Sequence, residues 1–190
     1  MKAKKVYEFR TSGEIVKMGN DVLLEKIFNN WVKENKLADI YEIKNKEYEI
    51  KDNVIYFYFS LRLGYQYITE IPFNLIAVDS HVYFYNTEFT KTPYLKYNIT
   101  CDKLDLKQTN TKKIYGDITC DIFDIRNNTS LKEINGKLKV NKKLILKNSN
   151  LLKFPEKLEC GEQCIIEMNL KEDVPYNIPE KFNKHIVNYE

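Results

Sequence analysis

Apolar residues recur at intervals of about twenty positions from residue 79 onward. An apolar-x-apolar triplet recurs four times, at Ile99, Ile118, Leu138 and Leu158. The intervals between these triplets are 19, 20 and 20 residues. A fixed period of this size indicates a solenoid, in which each unit buries its apolar side only against its neighbours.

Further columns keep the same register and predict the course of each coil. Alternation of period two predicts a strand whose inward pairs are Leu104/Leu106, Phe123/Ile125, Leu144/Leu146 and Cys164/Ile166. A single inward residue is predicted at Ile71, Thr92, Ile114, Ile134, Phe154 and Val174, and proline follows it at Pro72, Pro93, Pro155 and Pro175. Small polar residues at Thr109, Thr129, Ser149 and Asn169 are expected to hydrogen-bond along the stack and close the turn after each strand.

These columns predict a mainly β fold, a short β-solenoid of five to six coils over residues 53–182. Six units can be written, starting near Asp52, Asp79, Asp102, Asp121, Asn141 and Gly161. Because stacked strands lie about 4.8 Å apart, six coils predict a rod about 29 Å long.

Residues 1–52 predict a small α/β cap on the amino-terminal end of the solenoid. Residues 5–9 alternate as a strand, and Asn20 is a suitable N-cap for a helix from Asp21 to about Lys36. One face of this helix is apolar, with Leu24, Ile27, Phe28, Trp31 and Val32 at helical spacing. We expect the helix to seal the strand edge of the first coil, which would otherwise invite aggregation. Residues 40–43 and 53–59 are expected as strands, and residues 183–190 as a carboxy-terminal tail.

The most regular unit runs from Leu144 to Leu158, and it contains Leu146, Ser149, Leu151, Phe154 and Pro155 at repeat positions. This unit resembles a degenerate leucine-rich repeat of the short type. The segment Lys5–Glu14, followed by Met18-Gly19 and the amphipathic helix, resembles the start of uncharacterised repeat proteins of large tailed bacteriophages. The resemblance implies a leucine-rich-repeat-like scaffold of viral origin, and it carries over no catalytic residues.

Length and composition fit one solenoid with a capping module. The chain has 190 residues, of which 43% are hydrophobic, so a core can form. No apolar run approaches the roughly 18 residues that a membrane span requires, and charged residues occupy the place of a signal-peptide stretch. We therefore expect a cytoplasmic protein without membrane contact, in the host cell cytoplasm if it is viral, with reduced thiols.

Three of the four cysteines occupy one repeat column. Cys101, Cys120 and Cys160 stand where Val78 and Val140 stand in other units. Since a free cysteine packs as a small apolar residue, core packing explains this column. The alternatives are a zinc site that includes Cys160 and Cys164, or a disulfide between stacked coils. We expect no metal and no cofactor.

The sequence contains no catalytic constellation of a known kind. The two histidines, His81 and His185, lack a partnered nucleophile, and the six glycines form no phosphate-binding loop. An Asp-x-x-Asp motif occurs twice, at Asp102, Asp105, Asp121 and Asp124. It suits either a cation site or turn caps between coils, and turn caps are favoured because Asn141 interrupts the column. We expect a non-enzymatic protein, with an enzyme that has a novel site as the third hypothesis.

Positive charge is concentrated in the central coils. Residues 91–157 carry a net charge of +8, whereas residues 1–90 carry −1 and residues 158–190 carry −4. Alternation is expected to bring five cations onto one face of the sheet: Lys103, Lys107, Arg126, Lys143 and Lys147. Like charges that face each other on a sheet repel. The face is therefore either a solvated lysine-rich surface or a contact for an acidic protein surface or a nucleic-acid backbone.

Tyrosines are expected beside this cationic row. Tyr56, Tyr58, Tyr83 and Tyr85 alternate with Ile55, Phe57, Val82 and Phe84, so one of the two sets faces outward. Exposed tyrosines next to basic residues suit a protein interface, or they stack bases of a single strand. Packing against the cap is the alternative. The predicted partner-binding residues are therefore Tyr83, Tyr85 and the five cations.

The leading hypothesis is a non-enzymatic macromolecule-binding protein that uses the sheet face of the solenoid. Its expected partner is a host protein or a nucleoprotein complex. The phage resemblance implies an inhibitor of a host defence complex such as a CRISPR effector. The alternative is direct binding of RNA or DNA by the basic central coils. The sequence leaves the oligomeric state open.

Overall fold

A computed structural model describes residues 7–11, 14–18, 20–168 and 179–188. It contains a β-solenoid of about six turns with a short helix at its amino-terminal end, which confirms the predicted fold class. Among the described residues, no helix is both long and apolar enough to cross a membrane.

The described residues of the amino-terminal part form three strands and two helices. Their bounds are β1 Tyr7–Thr11, β2 Glu14–Met18, α1 Asn20–Glu34, α2 Tyr41–Lys44 and β3 Tyr48–Lys51. Strands β1 and β2 pair antiparallel in a sheet of their own. The predicted first strand overlaps β1, and its first two residues lie outside the described ranges.

The helix α1 matches its prediction, but the strand predicted at residues 40–43 is wrong. This segment instead leads into α2, where the Lys44 N–H donates to the Ile40 carbonyl over 2.9 Å. The helical turn directs Ile43 into the core, where it is 7% exposed. Apolar residues at both ends of a short segment therefore suited a helical turn as well as a strand.

The apolar face of α1 closes the amino-terminal end of the core, as expected. Phe28 is fully buried, and its ring lies 5.9 Å from Phe57 and 5.7 Å from Phe73, measured between ring centroids. The Trp31 Nε1 donates to the Glu70 carbonyl over 2.6 Å, which satisfies the polar atom of a buried indole. The helix thus covers the apolar end of the first coil. The strand edge of that coil, which the helix was expected to seal, pairs with β3 instead.

Short parallel strands form the coils. Their bounds are β4 Val54–Phe57, β5 Leu61–Arg62, β6 Tyr67–Ile68, β7 Leu75–Ala77, β8 His81–Tyr83, β9 Glu88–Phe89, β10 Tyr94–Leu95, β11 Ile99–Asp105, β12 Lys113–Ile114, β13 Ile118–Asp124, β14 Glu133–Ile134, β15 Leu138–Ile145, β16 Leu158–Cys160 and β17 Ile165–Met168. The main ladder runs through β4, β7, β11, β13, β15 and β17. Two smaller parallel ladders, β10–β12–β14 and β6–β9, lie along other sides of the coils.

The strand register confirms the column that contains the cysteines from Cys101 onward. Cys101 pairs with Cys120, which pairs with Val140, and Val140 pairs with Cys160. The neighbouring column of Leu104, Phe123 and Leu144 is also in register, and all three side chains are fully buried. Equivalent apolar side chains therefore stack along one axis.

Three of the predicted alignments are wrong, each by a small shift in register. Ala77 and not Val78 continues the cysteine column, because Thr100 pairs with Ile76, and the Ala77 side chain is buried. Leu144 pairs with Ile166 and not with Cys164, because the turn from Gly161 to Cys164 adds two residues to this coil. Ile114 pairs with Leu95 and not with Thr92. The period varies from coil to coil because turns of different length are compatible with the same ladder.

The ladder of small polar residues exists, but Thr129 is not part of it. The Thr109 and Ser149 hydroxyls donate to the carbonyls of Leu106 and Leu146, three residues earlier. Thr129 is exposed, and the fully buried Asn128 takes the equivalent position, where its Nδ2 donates to the Thr109 Oγ1 over 2.9 Å. Leu104 pairs with Phe123, so this coil is one residue shorter than the predicted period, which shifts the inward position from Thr129 to Asn128.

The main sheet extends beyond residues 53–182 at both ends, because it includes β3 and a further strand after β17. The domain limits themselves stay predictions. The strand β3 forms an antiparallel hairpin with β4 through Asp52 and Asn53, whose φ angles are 51° and 64°, as a two-residue type I′ turn requires. At the other end, a 3-10 helix at Glu180–His185 leads into β18 at Ile186–Asn188, which pairs with β17. The predicted column members Asn169, Val174 and Pro175 lie outside the described residues.

Candidate functional site on the sheet face

The outward side of the main ladder carries three columns of side chains, which we call the sheet face. The first column contains His81, Lys103, Ile122, Lys143 and Ile165; the middle column contains Tyr83, Asp105, Asp124, Ile145 and Glu167; the last column contains Tyr85, Lys107, Arg126 and Lys147. All seven residues of the predicted site therefore lie on one surface. The sheet face also contains three carboxylates, which the predicted site did not include.

The carboxylates of the middle column are almost completely buried. Asp105, Asp124 and Glu167 are 2%, 0% and 5% exposed although they project from the outer side of the strands. The cations of the two flanking columns cover them. An isolated carboxylate would be costly in such a position, so these side chains depend on their partners.

Each buried carboxylate is held by cations from one or both flanking columns. Asp124 binds Arg126 through two guanidinium nitrogens, with an Nη2–Oδ2 distance of 2.7 Å and an Nε–Oδ1 distance of 3.0 Å. Asp105 lies 3.1 Å from the Lys107 Nζ and 3.8 Å from the Lys103 Nζ. A two-pronged contact of the Arg126 type fixes orientation as well as distance.

Glu167 connects two successive coils. Its Oε1 lies 2.6 Å from the Lys143 Nζ, and its Oε2 lies 3.4 Å from the Lys147 Nζ. Both lysines belong to the preceding coil. One buried carboxylate of the last coil therefore holds two cations of its neighbour.

The aspartates of the Asp-x-x-Asp motif divide into two kinds. Asp105 and Asp124 accept the backbone N–H of the residue two positions later, each over 3.1 Å, which confirms the turn-capping role. Asp121 lies 2.6 Å from the Lys142 Nζ, and this contact lowers the pKa of its carboxyl. Within the described ranges, no three histidine, cysteine or acidic side chains come together as metal ligands.

The expected row of like charges is thus a lattice of alternating charges. The cation side chains are only partly exposed, at 22% for Lys147 and 40% for Arg126. Their mutual repulsion is offset within the protein itself. The sequence pattern did not predict the buried carboxylates, because alternation assigns to solvent any residue that lies between two inward positions. The available signal was an aspartate two residues before a cation, in Asp105-x-Lys107 and Asp124-x-Arg126.

The tyrosines face outward at one end of the same surface, which excludes packing against the helix of the cap for Tyr83 and Tyr85. The alternating set Ile55, Phe57, Val82 and Phe84 is fully buried. The Lys103 Nζ lies 5.6 Å from the centre of the Tyr83 ring, and the Lys107 Nζ lies 5.0 Å from that of Tyr85. Arg62, absent from the predicted site, approaches the Tyr83 ring to 5.7 Å. Cation–π contacts thus extend the charge lattice onto the aromatic end.

The four cysteines are free thiols in different environments. Burial raises the pKa of the Cys101 thiol to about 12 and also raises that of Cys120. Cys160 is only half-buried, and a hydrogen bond from the Cys164 thiol lowers its pKa. The cysteines of this column therefore differ in the pKa of their thiols, although they occupy equivalent positions in the ladder.

We expect Cys160 to react with iodoacetamide before the other cysteines at pH 8, because only thiolates react and its thiolate is favoured. Limited alkylation followed by peptide mass spectrometry measures the order of reaction. Cys101 should react only after unfolding in urea, which serves as the control for its intrinsic reactivity. Fast labelling of Cys101 in the native protein would contradict the burial described above.

A scan against protein-family models and searches of curated proteins and of solved structures find no match to this chain.

Proposed function

We propose that this protein is a non-enzymatic binding protein that presents its sheet face to another macromolecule. The observation that carries the proposal is the charge lattice itself, in which buried carboxylates hold partly exposed cations beside two outward tyrosines. Six basic side chains, including Arg62, and three carboxylates lie on this surface, which leaves a positive excess.

Restraint of the cations favours binding. A free lysine or arginine loses about 1–2 kcal/mol of rotamer entropy when it is immobilised. The cations of the sheet face are already fixed by Asp105, Asp124 and Glu167. A partner that contacts them therefore loses less affinity to ordering than it would on a flexible lysine-rich surface.

The composition of the face favours a protein partner over a nucleic acid. Arginine and tyrosine are enriched among the residues that contribute most to protein interfaces. Ile165 and Val187 are 42% and 38% exposed at the carboxy-terminal end of the same columns, opposite the tyrosine end. Because internal carboxylates already neutralise much of the lysine and arginine charge, few counterions would be released on binding a phosphate backbone.

Direct binding of RNA or DNA is the second candidate function. The positive excess of the sheet face and the net +8 of residues 91–157 support it. A more specific form of the proposal adds four points. It holds that the protein is of phage origin, is related to leucine-rich-repeat proteins, acts in the cytoplasm and targets a host defence complex. The repeat and amino-terminal motifs support this form.

The test is a pull-down from host lysate with the intact protein, with and without nuclease, followed by binding measurements on the captured partner. We expect a protein partner that survives nuclease treatment and binds with a shallow salt dependence. A steep fall of affinity with salt, or loss of the captured partner after nuclease treatment, would contradict this expectation and support direct binding of nucleic acid.

The variants must remove a cation together with the carboxylate that it covers. Charge reversal of Lys107, Arg126 or Lys147 would place a second carboxylate beside a buried one and unfold the site. We therefore expect the combined variant Asp105→Asn, Lys107→Gln, Asp124→Asn, Arg126→Gln to stay folded and to lose binding. The matched control is Lys153→Gln with Glu156→Gln, which neutralises an exposed pair away from the sheet face. Unchanged binding by the combined variant would exclude the sheet face as the interface.

A further inference from the structure

A second surface of the solenoid has chemistry that the sheet face lacks. A groove of about 550 Å³ runs along the corner where the coils turn away from the main ladder, and it spans four consecutive coils. Five amide and four hydroxyl side chains line it together with two tyrosines, and Glu88 is its one charged residue among the described positions. Its volume lies in the usual range for ligand sites of about 300–1,000 Å³.

The corner of each coil has a left-handed backbone, which places equivalent side chains in a row. Asn86, Gln108 and Asn127 have φ angles of 55°, 53° and 56°. Because each occupies the same corner of successive coils, their amides are spaced about 4.8 Å apart along the axis. The groove therefore offers a repeating series of donors and acceptors.

Several of these amides are available to a ligand. In the part of the chain that the structure describes, the side-chain amides of Gln66, Asn86 and Gln108 have no protein hydrogen-bond partner. By contrast, Asn110 donates to and accepts from the backbone of Phe89 over 3.0 and 2.8 Å. Half-buried amides such as Asn110 form the wall of the groove, and the amides without a protein partner lie on its open side.

Two tyrosines complete the groove at one end. Tyr65 and Tyr67 are 69% and 74% exposed, more than any other large apolar or aromatic side chain described. Tyr65 occupies the left-handed corner with a φ of 60°, where the next coils use asparagine or glutamine. A bulky residue is unfavourable in this conformation. Its ring is nevertheless fixed against Tyr85, 5.0 Å away between centroids.

We propose that this groove binds a neutral oligosaccharide. The apolar C–H face of a sugar ring stacks on an exposed aromatic ring, whose π face is electron-rich. An amide side chain supplies both a donor and an acceptor, which matches the paired hydroxyls of a sugar. A repeating ligand suits a repeating series of amides along the rod.

Charge disfavours the competing ligand, a single-stranded nucleic acid. Tyr65 and Tyr67 could stack bases, but the residues that line the groove include no lysine or arginine for the phosphates, and Glu88 would repel them. The groove and the sheet face adjoin where the Tyr65 ring contacts Tyr85. They have no lining side chain in common, so the proposal does not depend on the function of the sheet face.

The test titrates the whole protein with three neutral probes: cellohexaose, maltohexaose and N-acetylchitohexaose. We expect at least one to bind saturably in calorimetry and to shift the side-chain amide NMR signals of Gln66, Asn86 and Gln108. Replacement of Tyr67 by alanine should weaken this binding about tenfold, the loss expected for one aromatic stacking contact. Binding should be insensitive to salt.

The matched control is Tyr115→Ala, which removes an exposed tyrosine from another side of the solenoid. Its affinity should equal that of the unmodified protein. The proposal is overturned if none of the three probes binds, or if binding is unchanged in Tyr67→Ala. It is also overturned if a fifteen-residue oligothymidylate, and no glycan, shifts the amide signals of the groove.

Discussion

Replacing Gly116 by alanine is expected to lower the free energy of unfolding by about 3 kcal/mol or more. A Cβ at this position would overlap the carbonyl of Tyr97 in the preceding coil, and the Gly116 carbonyl in turn lies where a Cβ on Gly136 would be. The obstacle is backbone, which cannot move aside as a flexible side chain would. Urea denaturation followed by circular dichroism measures the loss.

The control for this prediction is Asn135→Ala, an exposed position directly before Gly136. Its backbone N–H donates to the Ile114 carbonyl over 2.8 Å, and alanine retains this bond. We expect a change within about 0.5 kcal/mol, as for an ordinary surface substitution. Equal unfolding midpoints for Gly116→Ala and the unmodified protein would show that the coils are not in close backbone contact here.

Removal of the Arg126 side chain is expected to cost about 2 kcal/mol, because it leaves the buried Asp124 carboxylate without its guanidinium partner. The Arg126 side chain is 40% exposed, so water can partly replace it, and the expected loss is smaller than for a fully buried pair. The variant Arg126→Ala retains the backbone N–H that Asp124 accepts. Urea denaturation again provides the measurement.

The double variant distinguishes a buried charge from lost packing. We expect Arg126→Ala combined with Asp124→Asn to recover most of the stability, because no unpaired charge is left. Lys153→Ala breaks an exposed pair with Glu156 and should cost less than about 0.5 kcal/mol. If neutralising Asp124 fails to raise the stability of Arg126→Ala, the charge lattice does not control the stability of this face.

The sequence was informative where one physical constraint acts on every coil. Stacking requires equivalent apolar side chains, so the columns of Cys101 and Leu104 could be predicted with their partners. The inward positions could not be predicted where the turns differ in length by one to three residues, at Val78, Thr92, Thr129 and Cys164. Periodicity identifies a solenoid, but turn length sets the register of each coil.

The candidate sites show the same division. Alternation brought Lys107, Arg126 and Lys147 together correctly, whereas the burial of Asp105, Asp124 and Glu167 was missed. Aspartate is normally exposed, and its burial here depends on cations that cover it from neighbouring positions. The groove was missed for another reason, since its amides lie at corners and not on strands, where period-two reasoning applies.

The polar contacts between coils also restrict how such a chain can change in length. Glu167 is matched to Lys143 and Lys147 of the coil before it, and Glu133 to Lys113 one coil earlier. An apolar column would accept the loss or duplication of a whole repeat, since leucine can follow any leucine. These ion pairs would not tolerate such a change, because each carboxylate would then lie beside a coil that lacks its matching lysine. The charged residues therefore specify the order of the coils.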